Sequence, residues 1–305
     1  MNAILQDLLR AVSNWDGKFP GAFNIRENGQ CAQRQSTKNI RIESKKDQSG
    51  LEIRILPGTK GESVSIPACV TRGGVDDLTY NDFYVGEGAD VTIIAGCGVH
   101  TQNGEPARHS GIHRFFLEKG ARVEYVEKHV GTGAGSGIRS IDPVTEAFLE
   151  ENAQLRMETT QIGGVDKSVR KTRATLAAGA KLFIRERILT EGDQEARTEF
   201  EVQMNGEGSG TDLISRSVAR GHSRQSYRSV IVGNAACTGH SECDAIIAQG
   251  GSVAAAPELI ANHADAALIH EAAIGKIAGE QILKLETLGL TEQEAEAQII
   301  EGFLR

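Results

Sequence analysis

Residues 84–91 read YVGEGADV, and the same form returns three times along the middle of the chain. Each copy has a turn residue, an alanine, a polar residue and an aliphatic residue, preceded by an apolar pair or run. The four turn residues are Gly88, Gly120, Asn152 and Gly179, with spacings of 32, 32 and 27. A strand-rich repeat of about 20–50 residues is typical of a solenoid, in which each coil buries its inner face against its neighbours.

The sequence before the repeat also has the texture of strands. From residue 38, apolar residues alternate with polar ones or run between Gly, Pro and charged turns, as in IRIES, LEIRIL and SVSIPACV. A period of two indicates strands. A β-sandwich is the alternative, but the Asn-Gly and Asp-Gly pairs that form hairpin turns are few. We therefore predict a mainly β chain with a right-handed β-helix over residues 38–272.

Helices are predicted at both ends of this core. Residues 2–14 place apolar side chains at helical spacing within an N-terminal segment 1–37. After His270, GKIAGEQILKLETLG predicts a helix closed by Gly289, and Thr291 with Glu294 forms a capping box that starts a second helix. The segment 273–305 then either caps the last coil or binds another protein.

Composition excludes several classes of protein. The formal charge is -8 with both signs mixed along the chain, whereas a general nucleic-acid binder needs a concentrated basic surface. The apolar runs fall well short of the roughly 20 residues that span a bilayer. Asp7 interrupts the N-terminal apolar stretch, which argues against a signal peptide. We expect a cytoplasmic protein that binds neither nucleic acid nor membrane.

Donor side chains concentrate in residues 229–275. The five cysteines are an odd, scattered set in a chain without an expected export signal, which favours free thiols or metal ligands over disulfides. Two cysteines, three histidines and Glu271 fall within this stretch. If the chain carries chemistry, we expect it there.

The same stretch and the segment after it carry a family resemblance. The motifs, in order, are Cys243-Asp244, His270-Glu271-Ala272, Gly275-Lys276-Ile277, Glu280-Gln281, Gly289, Glu294-Ala295 and Gly302-Phe303. This pattern resembles the C-terminal signature of the SufB/SufD family, the scaffold components of SUF iron–sulfur cluster assembly. The resemblance implies a β-helix core flanked by helices, a non-enzymatic role, and C-terminal helices that bind an ABC-type ATPase, SufC.

The chain departs from better-known members in two ways. It lacks the long N-terminal extension of SufB-type proteins, so we expect a compact member that acts as a homodimer. Residues 250–256 read GGSVAAA, where the SufB-type scaffold cysteine would be expected. The SufD-type histidine is matched by His270. A transient iron–sulfur cluster, which need not persist in the purified protein, would then use Cys243 or Cys237.

Strand geometry constrains how these residues share a site. In an extended segment, Cys237 and Cys243 lie roughly 20 Å apart, and His240 faces the opposite side. Cys243 and His270 are 27 residues apart, a spacing that places them on adjacent coils about 4.8 Å apart. The range of 27 to 32 residues seen in the repeat also pairs His240 with Glu271, which lies 31 residues later. The candidate cluster-binding residues are therefore Cys243, His270, Glu271, Cys237 and His240.

A second group of soft donors lies in AGCGVHTQNGEPARHSGIHRFF. Cys97, His100, His109 and His113 fall within 17 residues, a set that zinc or iron accepts. Their spacing matches no standard zinc finger, and a polar loop is the alternative. We interpret Cys31, Cys69, His129 and His222 as structural or surface residues.

Three functions compete at this point. The first is a cluster scaffold that works with an ATPase and passes its cluster to apoproteins, since the chain has no G-x-x-x-x-G-K-[ST] loop of its own. The second is a metal-free structural partner of the ATPase. The third is a β-helix carbohydrate-active enzyme, which the aromatic content of 5% disfavours.

Overall fold

The computed structural model describes residues 2–305. Helix α1 (Ala3–Ser13) begins at Asn2, whose side chain accepts a hydrogen bond from the Leu5 amide, and ends at Asn14 in the left-handed conformation. Its apolar face buries Leu5, Leu8, Leu9 and Val12, as the helical spacing predicted.

The first strands form an irregular start to the solenoid. They are β1 (Ala22–Glu27), β2 (Gln30–Gln35), β3 (Ile40–Ser44), β4 (Gly50–Ile55), β5 (Lys60–Ser65) and β6 (Ala68–Val70). Two antiparallel hairpins, β1–β2 and β3–β4, precede the parallel coils. The segment 1–37 therefore contains two strands besides the expected helix.

The regular coils follow. Their strands are β7 (Val75–Val85), β8 (Asp90–His100), β9 (Ala107–Leu117), β10 (Arg122–Thr132), β11 (Arg139–Ile141), β12 (Val144–Leu149), β13 (Gln154–Ile162), β14 (Lys167–Leu176), β15 (Lys181–Thr190), β16 (Glu195–Met204), β17 (Gly210–Ala219), β18 (Arg224–Gly233), β19 (Cys237–Ile247), β20 (Ser252–Ala261) and β21 (Ala266–Gly275).

The chain alternates between two facing sheets. Sheet A has 11 strands and includes β8, β10, β13, β15, β17, β19 and β21, while sheet B has 10 strands and ends at β20. From β7 onward every strand pair in either sheet is parallel. This arrangement is a β-solenoid, so the prediction of a β-helix is confirmed, and its last strand ends at Gly275.

The repeat in the sequence is a stacked turn. Gly88, Gly120, Asn152 and Gly179 have φ of 63°, 64°, 57° and 67°, a left-handed conformation that suits Gly and Asn. Each one donates its amide to a carbonyl of the next coil, at 2.9–3.0 Å. The alanine that follows each of them is fully buried. One turn per coil therefore fixes where each strand of this part of sheet A begins.

The interior divides lengthwise into an apolar half and a polar half. The large cluster of buried apolar side chains, which includes Phe83, Phe115, Leu155 and Phe200, fills one half. Buried Thr, Ser, His, Glu and Arg side chains occupy the other half through successive coils. Buried polar groups need partners, and many of these side chains bond one another, as Glu186 does with Thr198 and Ser215.

Two helices follow the solenoid. They are α2 (Gly279–Glu286) and α3 (Glu292–Phe303), and the predicted capping box at Thr291 and Glu294 is present. Ile300 and Leu304 pack against Val218 on the outer face of sheet A, so α3 lies beside the coils and does not cap the last one. Among the described residues, no helix is long and apolar enough to cross a membrane.

Candidate functional site at the open end of the solenoid

The solenoid ends in an uncovered coil. None of the residues from 252 to 275 is buried, in contrast to the coils before them. The strands β20 and β21 are the last of their sheets, and no other strand within residues 2–305 pairs with their far edges. Unpaired edges of this kind are templates for association with another chain.

Strand β19 presents donors on both of its faces. Cys237 and Cys243 point into the interior, and His240 lies on the outer face, as the alternation in a continuous strand requires. The predicted separation of the two cysteines along the strand therefore holds. Cys237 packs near Gly233 and Ala266, in the apolar half of the interior.

Cys243 and His270 stand on adjacent coils but not directly opposite one another. In the register of β19 with β21, Cys243 faces Ala272, while His270 faces Ser241. Directly paired residues of β19 and β21 are 29 positions apart in the sequence, whereas Cys243 and His270 are 27 positions apart. The two side chains are therefore diagonal neighbours on the same inward face. Their Cα atoms are about 8 Å apart in an ideal sheet.

The two inward donors differ in their surroundings. Burial raises the pKa of the Cys243 thiol to about 12, and the charges of Glu186 and Asp244 add to this, so the thiol is protonated at neutral pH. The His270 Nδ1 is buried and has no hydrogen-bond partner within the described chain. Burial also raises the pKa of Cys237. The inner face thus offers a thiol and an unpartnered imidazole nitrogen.

The outer face of the same strands carries a separate group. His240 donates from Nδ1 to Asp212 Oδ1 at 2.8 Å, and its Nε2 lies 3.6 Å from Glu271 Oε2. The hydrogen bond to Asp212 raises the pKa of His240. Donor atoms of His240, Glu242 and Glu271 lie within 4.8 Å of one another. The five candidate cluster-binding residues are therefore divided between the two faces of sheet A.

The histidines near Cys97 are held by other partners. His109 Nδ1 bonds Asp77 at 3.0 Å, and His113 Nδ1 bonds the Tyr125 hydroxyl at 2.7 Å. Both lie in the interior with Cys97, and the three line one small cavity. His100, at the end of β8 on the opposite face from Cys97, bonds Thr132. The structure does not gather these four predicted donors into one coordination group.

The donors closest to Cys97 come from β10 instead. Its thiol lies within 4.8 Å of ligand atoms of Glu127 and His129, and all three residues are buried. Arg170 Nη1 donates to Glu127 Oε2 at 2.6 Å, and Arg170 Nε lies 3.3 Å from Glu186 Oε1. The guanidinium of Arg170 therefore forms ion pairs with two buried carboxylates.

Electrostatics within this buried cluster follow from the shared guanidinium. Burial alone would raise the pKa of Glu127, but Arg170, His129 and His113 together outweigh burial and hold that pKa well below its usual range. Burial raises the pKa of Glu186 despite hydrogen bonds from Ser215 and Thr198. Burial also raises the pKa of Cys97 and lowers that of His129.

Sequence reasoning did not identify this buried cluster. The signal was present in the alternation of β10, where Val123, Tyr125, Glu127 and His129 share one face. The first two positions are clearly inward, so the next two must be inward as well. His129, interpreted as structural, belongs to this buried group.

The fold and the site define the class: a two-sheet β-solenoid with thiol and imidazole donors at its open end. The model of the SufBD core domain, described as "SUF system FeS cluster assembly", matches residues 79–303. The chain belongs to this SufBD family.

Curated relatives agree with this assignment. An iron-sulfur cluster assembly SufBD family protein of Archaeoglobus fulgidus is 29% identical over 267 residues, which cover 87% of this chain and 70% of the relative. A homologue from Methanothermobacter thermautotrophicus is 28% identical over 86% of this chain, and 64% of its own length is covered. A Methanocaldococcus jannaschii member is 23% identical, with 88% and 86% covered.

Proposed function

We propose that this chain is a scaffold on which iron–sulfur clusters are assembled, with Cys243 and His270 as inward ligands at the open end of the solenoid. The observation that carries the proposal is the buried, unpartnered His270 Nδ1 on the coil next to the Cys243 thiol. Thiolates are the usual ligands of such clusters, and an imidazole replaces one where a cluster is to be tuned. The cluster is cargo that the scaffold releases.

The ligand count supports a homodimer. One chain supplies Cys243 and His270 at this end, whereas most clusters take four protein ligands. Two copies that meet through their open ends would bring two such pairs together and cover the free edges of β20 and β21. Cys237 remains a predicted contributor on the inner face, and His240 and Glu271 remain predicted contributors on the outer face of the same strands.

The C-terminal helices are proposed to bind an ABC-type ATPase similar to SufC. Helix α2 buries none of its residues, and Leu283 within this helix and Leu288 just after it are 60% and 74% exposed. Apolar side chains on an exposed helix suit a groove on a partner. ATP hydrolysis by that partner would drive the scaffold between states, and the cluster would pass to cytoplasmic apoproteins without catalysis by this chain.

Anaerobic reconstitution tests the cluster site. Iron and sulfide should give the purified protein a thiolate-to-iron absorption band, and Cys243→Ala or His270→Ala should lower its intensity. Cys31→Ala is the matched control, because Cys31 is exposed on β2 at the other end of the chain. An unchanged band in Cys243→Ala would overturn the assignment.

Co-purification tests the ATPase partner. The double variant Leu283→Asp/Leu288→Asp should lose the ATPase, while Leu56→Asp, another exposed leucine, should keep it. A metal-free structural role is the second candidate, supported by the exposed apolar helix surface alone. That role predicts no iron in the anaerobic complex. It also predicts normal co-purification with the ATPase after all five cysteines are replaced.

A further inference from the structure

We propose that His240, Glu242 and Glu271 form a binding site for a single divalent iron ion on the outer face of sheet A, separate from the inward thiol site. The identity of the ion as iron rests on the proposed function, whereas the presence of a divalent-cation site rests on geometry alone. Glu242 joins the group through the register of the strands, and no sequence motif marks it.

Three side chains converge from two adjacent coils. His240 and Glu242 are two positions apart on β19, so they share its outer face. Glu271 on β21 lies directly opposite Glu242. The nearest donor atoms of the three residues lie within 4.8 Å of one another, a span that a single ion can bridge with small side-chain rotations.

The imidazole is oriented as in a metal ligand. A carboxylate accepts hydrogen bonds, so the 2.8 Å contact from Asp212 Oδ1 places the His240 proton on Nδ1. In the neutral ring the lone pair is then on Nε2, which faces Glu271 at 3.6 Å. Asp212 is itself fixed by Arg185 at 2.6 Å. A carboxylate behind a ligating histidine is the usual arrangement that fixes the tautomer of the ligand.

The surrounding charge favours a cation. Four carboxylates share this patch, those of Asp212, Glu242, Asp244 and Glu271, and two guanidiniums lie beside them, those of Arg185 and Arg216. The carboxylates therefore outnumber the guanidiniums on this patch, and Asp244 lies near Glu242 on the same outer face of β19. A divalent ion would relieve this repulsion.

The donor set selects the kind of metal ion. One imidazole and two carboxylates, with the remaining positions open to water, suit Fe²⁺ or Mn²⁺ better than a soft ion. Cys237 and Cys243 point to the other side of the same strand, so no thiolate of β19 competes for this ion. The strand would thus hold unassembled iron outside and the cluster ligands inside.

Mn²⁺ binding to the 305-residue chain tests the site, and the loss of the free-ion electron paramagnetic resonance signal measures that binding. We expect one ion per chain, displaced by anaerobic Fe²⁺, with affinity lowered at least about tenfold in His240→Ala and in Glu242→Gln, and about tenfold in Asp212→Asn. His263→Ala and Glu258→Gln, exposed residues of the same terminal coil, are the controls and should bind normally.

Each outcome bears on the proposal. Absent binding, binding unchanged in His240→Ala, or equal losses in the controls would each overturn the site. Circular dichroism of each variant separates lost binding from lost folding, and Glu242→Gln nearly preserves the shape of the side chain. Cys243→Ala should lower the intensity of the thiolate-to-iron band and leave Mn²⁺ binding intact. Mn²⁺ binding without any cluster would therefore refute the scaffold function alone, and a cluster without Mn²⁺ binding would refute the ion site alone.

Discussion

At the scale of single residues, the buried guanidinium of Arg170 has three titratable partners in the interior. It contacts Glu127 at 2.6 Å, Glu186 at 3.3 Å and His129 Nδ1 at 3.3 Å. A buried ion pair contributes little net stability, because desolvation offsets the attraction between the charges. Removal of one partner is costly, because it leaves an uncompensated charge in the interior.

We therefore predict that Arg170→Met lowers the free energy of unfolding by about 3–5 kcal/mol. Arg173→Met is the matched control on the same strand, since Arg173 is exposed and pairs with Glu201 at 3.4 Å on the outer face. Its effect should stay within about 0.5 kcal/mol. Denaturant unfolding of both variants makes the comparison, and equal losses would contradict the role of Arg170.

His113 predicts a pH dependence of stability. Burial lowers its pKa to about 4, whereas the ring titrates near pH 6.5 in an unfolded chain. Between these values the unfolded state binds a proton that the folded state does not, so stability falls as the pH falls. From pH 7 to pH 5 this residue should cost about 2 kcal/mol.

The measurement is the free energy of unfolding across this pH range. His113→Asn should show a shallower decline than the unmodified protein, by about 2 kcal/mol over the interval. His263→Asn, in an exposed turn, should leave the slope unchanged. The interpretation fails if both variants retain the full slope.

At the scale of elements, the stacked turns set the register of the coils. The left-handed conformation costs an ordinary residue about 1–2 kcal/mol, whereas Gly and Asn adopt it readily. Because the amide of each turn residue bonds the next coil, a displaced turn would disturb two coils at once.

Asn152 offers a direct test of this argument. Asn152→Ala should lose about 1–2 kcal/mol, and Asn152→Gly should lose little, because only alanine resists the φ of 57°. Denaturant unfolding at neutral pH measures both. A glycine variant as unstable as the alanine variant would show that side-chain contacts, and not the backbone conformation, determine the effect.

The sequence predicted those elements whose signals are local. The turn repeat, helix α1 and the capping box at Thr291 each depend on residues close in the chain, and the structure confirms them. The register of β19 with β21 depends on the length of one turn, and a difference of two residues moved His270 from Cys243 to Ser241. The alternation in β10 marks Glu127 and His129 as inward, but Arg170 reaches them from a strand far along the chain, so no local pattern reveals the whole cluster.

At the scale of the whole molecule, the two ends of the solenoid differ. Helix α1 packs on sheet A near the first coils, and Gly96 and Gly98 allow this close approach, since added side chains would meet Val12 and Leu8. No helix within residues 2–305 covers the last coil in this way. Leu259 points inward but is 37% exposed, whereas Ile231, its neighbour one coil earlier, is fully buried.

We expect this exposed end to support the proposed homodimer. Leu259→Glu should raise the dimer dissociation constant about tenfold or more, because it places a charge where apolar surface would be buried. Leu78→Glu, at a comparably exposed position on β7, should leave it unchanged. Sedimentation equilibrium measures both constants, and a tight dimer of Leu259→Glu would exclude this face as the interface.

The uncovered last coil also has a consequence for motion. In a solenoid the stability of each coil comes largely from its immediate neighbours, and the coil of β20 and β21 has a neighbour on one side only. Fraying should therefore begin there and advance inward, with amide hydrogen exchange slowing coil by coil toward β8. In a single chain without its dimer partner, the strand that carries His270 would open first. Dimerisation would therefore hold His270 in place as well as supply the second pair of ligands.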